Sequence, residues 1–332
     1  MLTLPTMKNL LLLPIFLLAL PVLALPPNEL LFKLNSSIVK VNVATKNGGH
    51  GVGSGVVVAK DHIVTNCHVV ANAAGVHVTK YGHSFSPHAL IADWANDLCI
   101  LKFKYLELNP VKLGSNNNLN YEQEVFGKSY GGNTIKPHTV FGKVKGMHHF
   151  NNNKIIQSSA WFAMGASGGG LFNQDGELIG ITTFKSAGRS AFYYSMPVEI
   201  IKSMLANGKE LSVTTQPELP FWDAPDDKQP FFMQVVGPLK QENWQRLEAI
   251  SSQWRNAQPK SLEAHSNYAL ALFKLGNIVQ SEKEFKEVVQ KNMHFAEGYY
   301  YLYEIAKLKE EEEDAIKYKT IVLSLDENLI NE

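Results

Sequence analysis

Only two cysteines, Cys67 and Cys99, occur in the 332 residues, and no second Cys or His stands at ligand spacing beside them. A structural zinc cluster is therefore not expected, and neither is a cysteine nucleophile. Excess charge is missing as well, since Lys+Arg and Asp+Glu both count 31. A balanced chain without a local basic stripe is no candidate for nucleic acid or an anionic membrane surface. A polypeptide or a small molecule is the expected partner. The glycines between Gly51 and Gly55 are not followed by Gly-Lys-Ser/Thr, which argues against a phosphate cradle. The acidic run Glu310–Asp314 has neither the alternating oxygen ligands nor the Gly turn of a calcium loop, and reads as the solvated start of a helix. No cofactor and no metal are expected.

The N-terminus has what the rest lacks, an apolar run. Lys8 and Asn9 precede Leu10–Leu20, and Val22-Leu23-Ala24 closes the stretch with residues a signal peptidase reads. A basic start, an apolar core and a small-residue exit predict a secretory signal over residues 1–24. A retained anchor is the alternative, which Pro14, Pro21 and the short length oppose. Met7 offers a second plausible start. The mature chain is expected to be exported, periplasmic or extracellular, without stable membrane insertion. In that setting Cys67 and Cys99 are either a disulfide or two thiols packed as small core residues.

Periodicity then divides the chain. From Ser37 to Ile200, short β-type runs such as Ile38–Val43, Gly55–Ala59, His62–Thr65 and Leu178–Phe184 alternate with turn residues, predicting an antiparallel barrel or sandwich. Pro197–Leu205 reads as a short closing helix. Residues 206–238 carry Pro217, Pro220, Pro225, Pro230 and Pro238 and predict a linker or strap. Phe221, Trp222, Phe231 and Phe232 suit a strap packed on a surface better than a free tether. Residues 239–332 have helical period. Lys274-Leu275-Gly276-Asn277 suits an inter-helix turn, and Ser281 and Ala315 are 34 positions apart, the length of a tetratricopeptide unit. The expected architecture is multidomain. An all-β domain over 25–205 is followed by an all-α, tetratricopeptide-like repeat domain that offers a surface for a protein partner.

Three segments bear the chemistry. Gly51-Val52-Gly53-Ser54-Gly55 leads to Thr65-Asn66-Cys67-His68; Asn96-Asp97-Leu98-Cys99-Ile100-Leu101 follows; Gly165-Ala166-Ser167-Gly168-Gly169 comes last. The order His68, Asp97, Ser167 is that of a His-Asp-Ser triad. A serine hydroxyl needs a base within reach, an imidazole can take and return its proton near neutral pH, and a carboxylate must hold the imidazole's tautomer. The amides of Gly165 and Ser167 are the expected oxyanion donors. An α/β-hydrolase elbow is opposed by the order, since only His265 and His294 follow Ser167, both within the repeats.

These motifs, with Gly176-Glu177-Leu178-Ile179-Gly180-Ile181, strongly resemble the HtrA-type branch of the trypsin-like serine peptidases over residues 35–205. The resemblance implies two perpendicular six-stranded β-barrels, a triad in the cleft between them, and cleavage of peptide bonds. Helical repeats stand where that family commonly carries PDZ domains. The family's specificity pocket would involve Trp161, Phe162, Thr183 and Phe184, with no acidic residue between Trp161 and Ser167. The rival expectation is an inactive protease-fold adaptor whose repeats do the binding, which leaves the intact triad unexplained.

Overall fold

The computed structural model describes residues 25–185, 193–213, 218–326 and 328–331; the signal-like segment 1–24 lies outside them. Seven strands form the first sheet: β1 (Ile38–Thr45), β2 (His50–Ala59), β3 (His62–Asn66), β4 (Ala73–Lys80), β5 (His83–Phe85), β6 (Ala89–Asp93) and β7 (Leu98–Lys102). Their order is β5-β4-β1-β2-β3-β7-β6, an open half-barrel where a closed six-stranded one was expected. Every pairing within it is antiparallel. A bridge between Leu90 and Leu211 lays the chain after the closing helix along the β6 edge, covering amides that would otherwise be open to a further strand. The second sheet closes into a barrel, in order β10-β13-β12-β11-β8-β9. Its strands are β8 (Glu124–Ser129), β9 (His138–Phe150), β10 (Asn153–Ser158), β11 (Gly170–Phe172), β12 (Leu178–Lys185) and β13 (Tyr193–Pro197). Half-barrel and barrel together make the trypsin-like double-barrel domain.

The apolar runs explain these strands. Ile38, Val39, Val41 and Val43 of β1 are buried, while Lys40, Asn42, Ala44 and Thr45 face outward to differing degrees. β12 is buried from Leu178 to Phe184, as a strand covered on both faces must be. Three helices flank the strands: α1 (Asn28–Asn35), α2 (Cys67–Val70) and α3 (Val198–Asn207). The last was expected. The first was not, because eight residues are too few to carry a periodic signal; it begins after Pro27, whose fixed φ suits a helix entry.

Prolines organise the strap. Pro220 and Pro225 each precede a single 3-10 turn, Phe221–Asp223 and Asp226–Lys228, and Pro230 precedes α4 (Phe231–Gln234), with α5 (Val236–Lys240) next. The segment is thus a string of helical turns pressed onto the second barrel. Phe232 is buried, stacking on His148 at 4.4 Å and packing beside Tyr194 at 5.5 Å. Burial of such a ring contributes about 1.5–3 kcal/mol.

Five helices follow: α6 (Trp244–Ala257), α7 (Leu262–Lys274), α8 (Ile278–Lys291), α9 (Ala296–Leu308) and α10 (Glu312–Leu325), with a final turn α11 (Asn328–Asn331). Asn243 and Ser261 cap α6 and α7 by accepting the amides of Arg246 and Ala264. Glu284 of α8 pairs with Arg255 of α6 and, at 2.9 Å, with His265 of α7, tying three helices together. The core does not stop at the strap. Trp254, Leu247 and Ala264 belong to the same apolar cluster as Phe172, Tyr194 and Met196 of the barrel.

His148 lies at the centre of this junction, buried against Phe232, Tyr194 and Trp254. Burial pushes its imidazole below the ordinary histidine range; nearby Glu263 and the bond to Gln157 oppose this more weakly, and His149 adds to it. A ring kept neutral in the folded chain but free to protonate near pH 6.5 when unfolded makes the unfolded state bind more protons on acidification. The melting temperature is therefore expected to fall as pH drops from about 7 to about 5.5. His148→Gln, which can keep a bond to Gln157, should flatten that slope in parallel melts; an unchanged slope would remove His148 as its cause.

Candidate active site

β3 and β7 run side by side, with Thr65 opposite Cys99 and Asn66 opposite Leu98. His68 follows β3 and Asp97 precedes β7, so this register brings them to the same end of the half-barrel. Cys67 and Cys99 close a disulfide across it, with sulfurs 2.02 Å apart. Of the two readings of the cysteines, the oxidised pair is the one found. Asp97 adopts φ 56°, a left-handed conformation that Asp tolerates better than most residues. Its carbonyl accepts from the Cys67 amide at 3.2 Å and from the Asn66 side chain at 2.9 Å, which anchors the turn.

The Asp97 carboxylate is 1% exposed. Oδ1 accepts the His68 backbone N–H at 2.8 Å, and Oδ2 lies 2.6 Å from His68 Nδ1. A carboxylate can only accept, so Nδ1 carries the hydrogen, which in the neutral ring leaves the lone pair on Nε2. A third donor comes from outside the double barrel: Trp222 Nε1 donates to Oδ2 at 3.1 Å. Its ring stands edge-on to the imidazole, centroids 5.4 Å apart.

The third predicted member sits on the loop between β10 and β11. Ser167 Oγ is partly exposed and, among the described residues, makes one hydrogen bond, to the Thr183 carbonyl at 3.4 Å, and none to His68. Two glycines in left-handed conformations, Gly165 at φ 87° and Gly168 at φ 86°, bracket the loop, where a side chain would be strained.

Every carbonyl from residue 164 to 167 is held. Met164 accepts from the Gly132 amide at 2.8 Å, Gly165 from Ser54 Oγ at 2.8 Å, Ala166 from the Gly169 amide at 2.8 Å and Thr182 Oγ1 at 2.9 Å, and Ser167 from the Ser54 amide at 2.8 Å. With the oxygens turned inward, the amides of Gly165 and Ser167 have no partner among the described residues. Such amides are what an oxyanion needs.

Ser54 and Trp222 carry parts of this geometry that sequence reasoning did not assign. The signal for Ser54 is its place between Gly53 and Gly55: a Cβ on Gly53 would strike Val69 at 2.6 Å and lie 3.3 Å from the Ser167 carbonyl, so a glycine there lets the strand approach the loop closely. Trp222 showed only as a ring that a free linker would not need.

In the region predicted for substrate side chains, Phe162 is buried edge-on to Tyr193, centroids 5.1 Å apart, and Trp161 is 53% exposed. Residues 186–192, which follow Phe184 and Lys185, lie outside the described residues. A cavity of about 840 Å³ opens beside Phe184 and Trp222 and runs beneath the strap toward Gln253.

Residues 53–181 match the family described as the trypsin-like peptidase domain. A probable periplasmic serine endoprotease of DegP-like type from Pseudomonas fulva is 31% identical over 170 residues, covering 48% of this chain and 36% of the relative. The periplasmic serine endoprotease DegP of Salmonella typhimurium is 30% identical over 192 residues, covering 52% and 40%. The chloroplastic protease Do-like 5 of Arabidopsis thaliana is 36% identical over 177 residues, covering 46% and 55%. The chain thus spans between about a third and somewhat over half of the length of these relatives. Among solved structures, the active form of the Rv3671c protease from M. tuberculosis superposes with TM-score 0.51 at 19% identity, covering 64% of this chain and 97% of that one, a likeness of fold.

The loop's dependence on Ser54 is measurable. Ser54→Ala strands the Gly165 carbonyl and the Tyr130 amide, which donates to Ser54 Oγ at 2.9 Å, at a fully buried position. The expected loss is about 2 kcal/mol in urea unfolding. A change below about 0.5 kcal/mol, the usual range for surface substitutions, would mean the clamp adds nothing.

Proposed function

We propose that the chain, whose residues 53–181 match the trypsin-like peptidase domain, is a serine endopeptidase, exported to the periplasm or beyond, that hydrolyses peptide bonds through His68, Asp97 and Ser167. The observation that carries this reading is the short His68 Nδ1–Asp97 Oδ2 bond, together with amides at Gly165 and Ser167 that have no partner among the described residues. A substrate entering the cleft draws the Ser167 hydroxyl from the Thr183 carbonyl by rotation about its Cα–Cβ bond. His68 Nε2 then takes the proton as Oγ attacks the substrate carbonyl carbon. The oxygen that gains negative charge lies on the amides of Gly165 and Ser167, each worth a few kcal/mol in the transition state. His68 returns the proton to the leaving amine, Asp97 stabilising the imidazolium meanwhile, and water releases the acyl group by the same steps.

The uncharged stretch from Trp161 to Ser167, with Phe162 and Tyr193 filling space, favours a small or aliphatic residue before the scissile bond. The helical region reads as a tetratricopeptide-like array that takes a polypeptide partner, supported by exposed Ile316 and Leu323 seven positions apart on α10. Two of the tyrosines on α9 serve packing: Tyr301 stacks on Phe285 at 5.1 Å and Tyr299 lies beside Tyr318.

Ser167→Ala and His68→Ala are each expected to lower cleavage of an unstructured polypeptide by about a thousandfold or more with melting temperatures retained. Turnover at the unaltered rate in Ser167→Ala, with contaminating protease excluded, would end the proposal. Sequencing the cleavage products tests the second expectation: cuts predominantly after Lys or Arg contradict an uncharged pocket.

A further inference from the structure

Resting on the peptidase reading, we propose that Trp222 is a positioning residue of the active site, a donor supplied by the strap that holds Asp97 and, through it, His68. The carboxylate is almost fully buried, and no Lys or Arg pairs with it among the described residues. Its charge is met by hydrogen-bond donors alone. Two of the three belong to His68 itself, its backbone N–H and its Nδ1. Among the described residues, only the indole N–H comes from elsewhere. Asp97 Oδ2 must serve the imidazole along one direction, and apart from the imidazole only the His68 backbone N–H on Oδ1 holds the carboxylate's torsions. A second donor on the same oxygen, approaching from the strap, restricts that swing.

The indole is itself held on both sides. Phe184 stacks on it at 5.7 Å with planes 19° apart, and the neighbouring Phe221 amide donates to the Ala95 carbonyl, two residues before Asp97, at 3.2 Å. Phe221 also packs on Phe150 and Phe184. From Phe184 the rings continue through Tyr194 and Phe232, and α4 leads on to Trp254 of α6 by way of Phe231. The strap therefore enters the site as part of a packed layer continuous with the helical region.

Trp222→Phe in the full chain keeps a stacking ring and deletes the N–H. The probe is a fluorophosphonate, which phosphonylates an activated serine with loss of fluoride, followed by kcat and KM on a short uncharged peptide amide. Expected are a fall of about tenfold in the labelling rate constant and in kcat, with KM unchanged within about twofold. Phe231→Leu, which loosens the strap's packing on Trp254 without touching the turn that carries Trp222, should stay within about twofold on both measures. A structural role would lower both variants alike and reduce their melting temperatures. Labelling of Trp222→Phe at the unaltered rate overturns the inference and leaves the peptidase reading standing, and so does faster labelling, which would make the ring a cover over the cleft. An unaltered chain that does not label, like Ser167→Ala, removes the peptidase reading and the inference with it.

Discussion

A carboxylate with 1% exposure and no Lys or Arg beside it among the described residues is the constraint around which this molecule is arranged. Removing Asp97 from water costs several kcal/mol unless its oxygens are met by donors. The β3–β7 register, the Cys67–Cys99 bridge and the left-handed turn at Asp97 all act to present His68 to it. With its Nδ1–H committed there, the imidazole has one nitrogen left to work with. The pairing of a buried acid with a half-exposed base is thus a property of two strands and their covalent tie, before the serine loop is considered.

The serine loop obeys a complementary rule. Its carbonyls are used up by Gly132, Ser54, Gly169 and Thr182, three of them outside the loop, which forces the amides of Gly165 and Ser167 to face the other way. Ser54 belongs to β2 of the half-barrel, whereas the loop it holds belongs to the closed barrel. The cleft between the barrels is therefore shaped by hydrogen bonds crossing it, and neither barrel alone would set the loop's conformation.

The strap and helices extend this dependence. Phe232 and Trp254 share a core with Tyr194 and Phe172, so the C-terminal half is docked by burial of rings and not by a few surface ion pairs. Lys145, bridging Glu122 of the barrel region and Asp326 after α10, adds a polar contact at the far end of the same face. A segment of this kind has a fixed place relative to the cleft, which lets one of its side chains reach Asp97.

Much of this was legible beforehand. Short β-type runs between turn residues marked β1, β2, β3 and β12, the Leu275-Gly276-Asn277 turn separated α7 from α8, and the order of three short motifs pointed to His68, Asp97 and Ser167. Such signals are local, or depend on residues whose types are demanded by the chemistry itself. The eight-residue α1, the helical turns inside the strap and the open edge of the first sheet were not legible, being set by which surfaces happen to meet. The choice between a disulfide and two thiols likewise waited on β3 and β7 lying side by side, because sequence separation says nothing of the gap between Cα atoms, here 4.9 Å. Composition and motif order, by themselves, pointed to the kind of chemistry proposed for this chain. Tertiary structure alone decided that Ser54 would clamp the serine loop and that Trp222, 125 residues from Asp97, would donate to its carboxylate, since a hydrogen bond needs both partners within about 3 Å and only the packed fold brings them there.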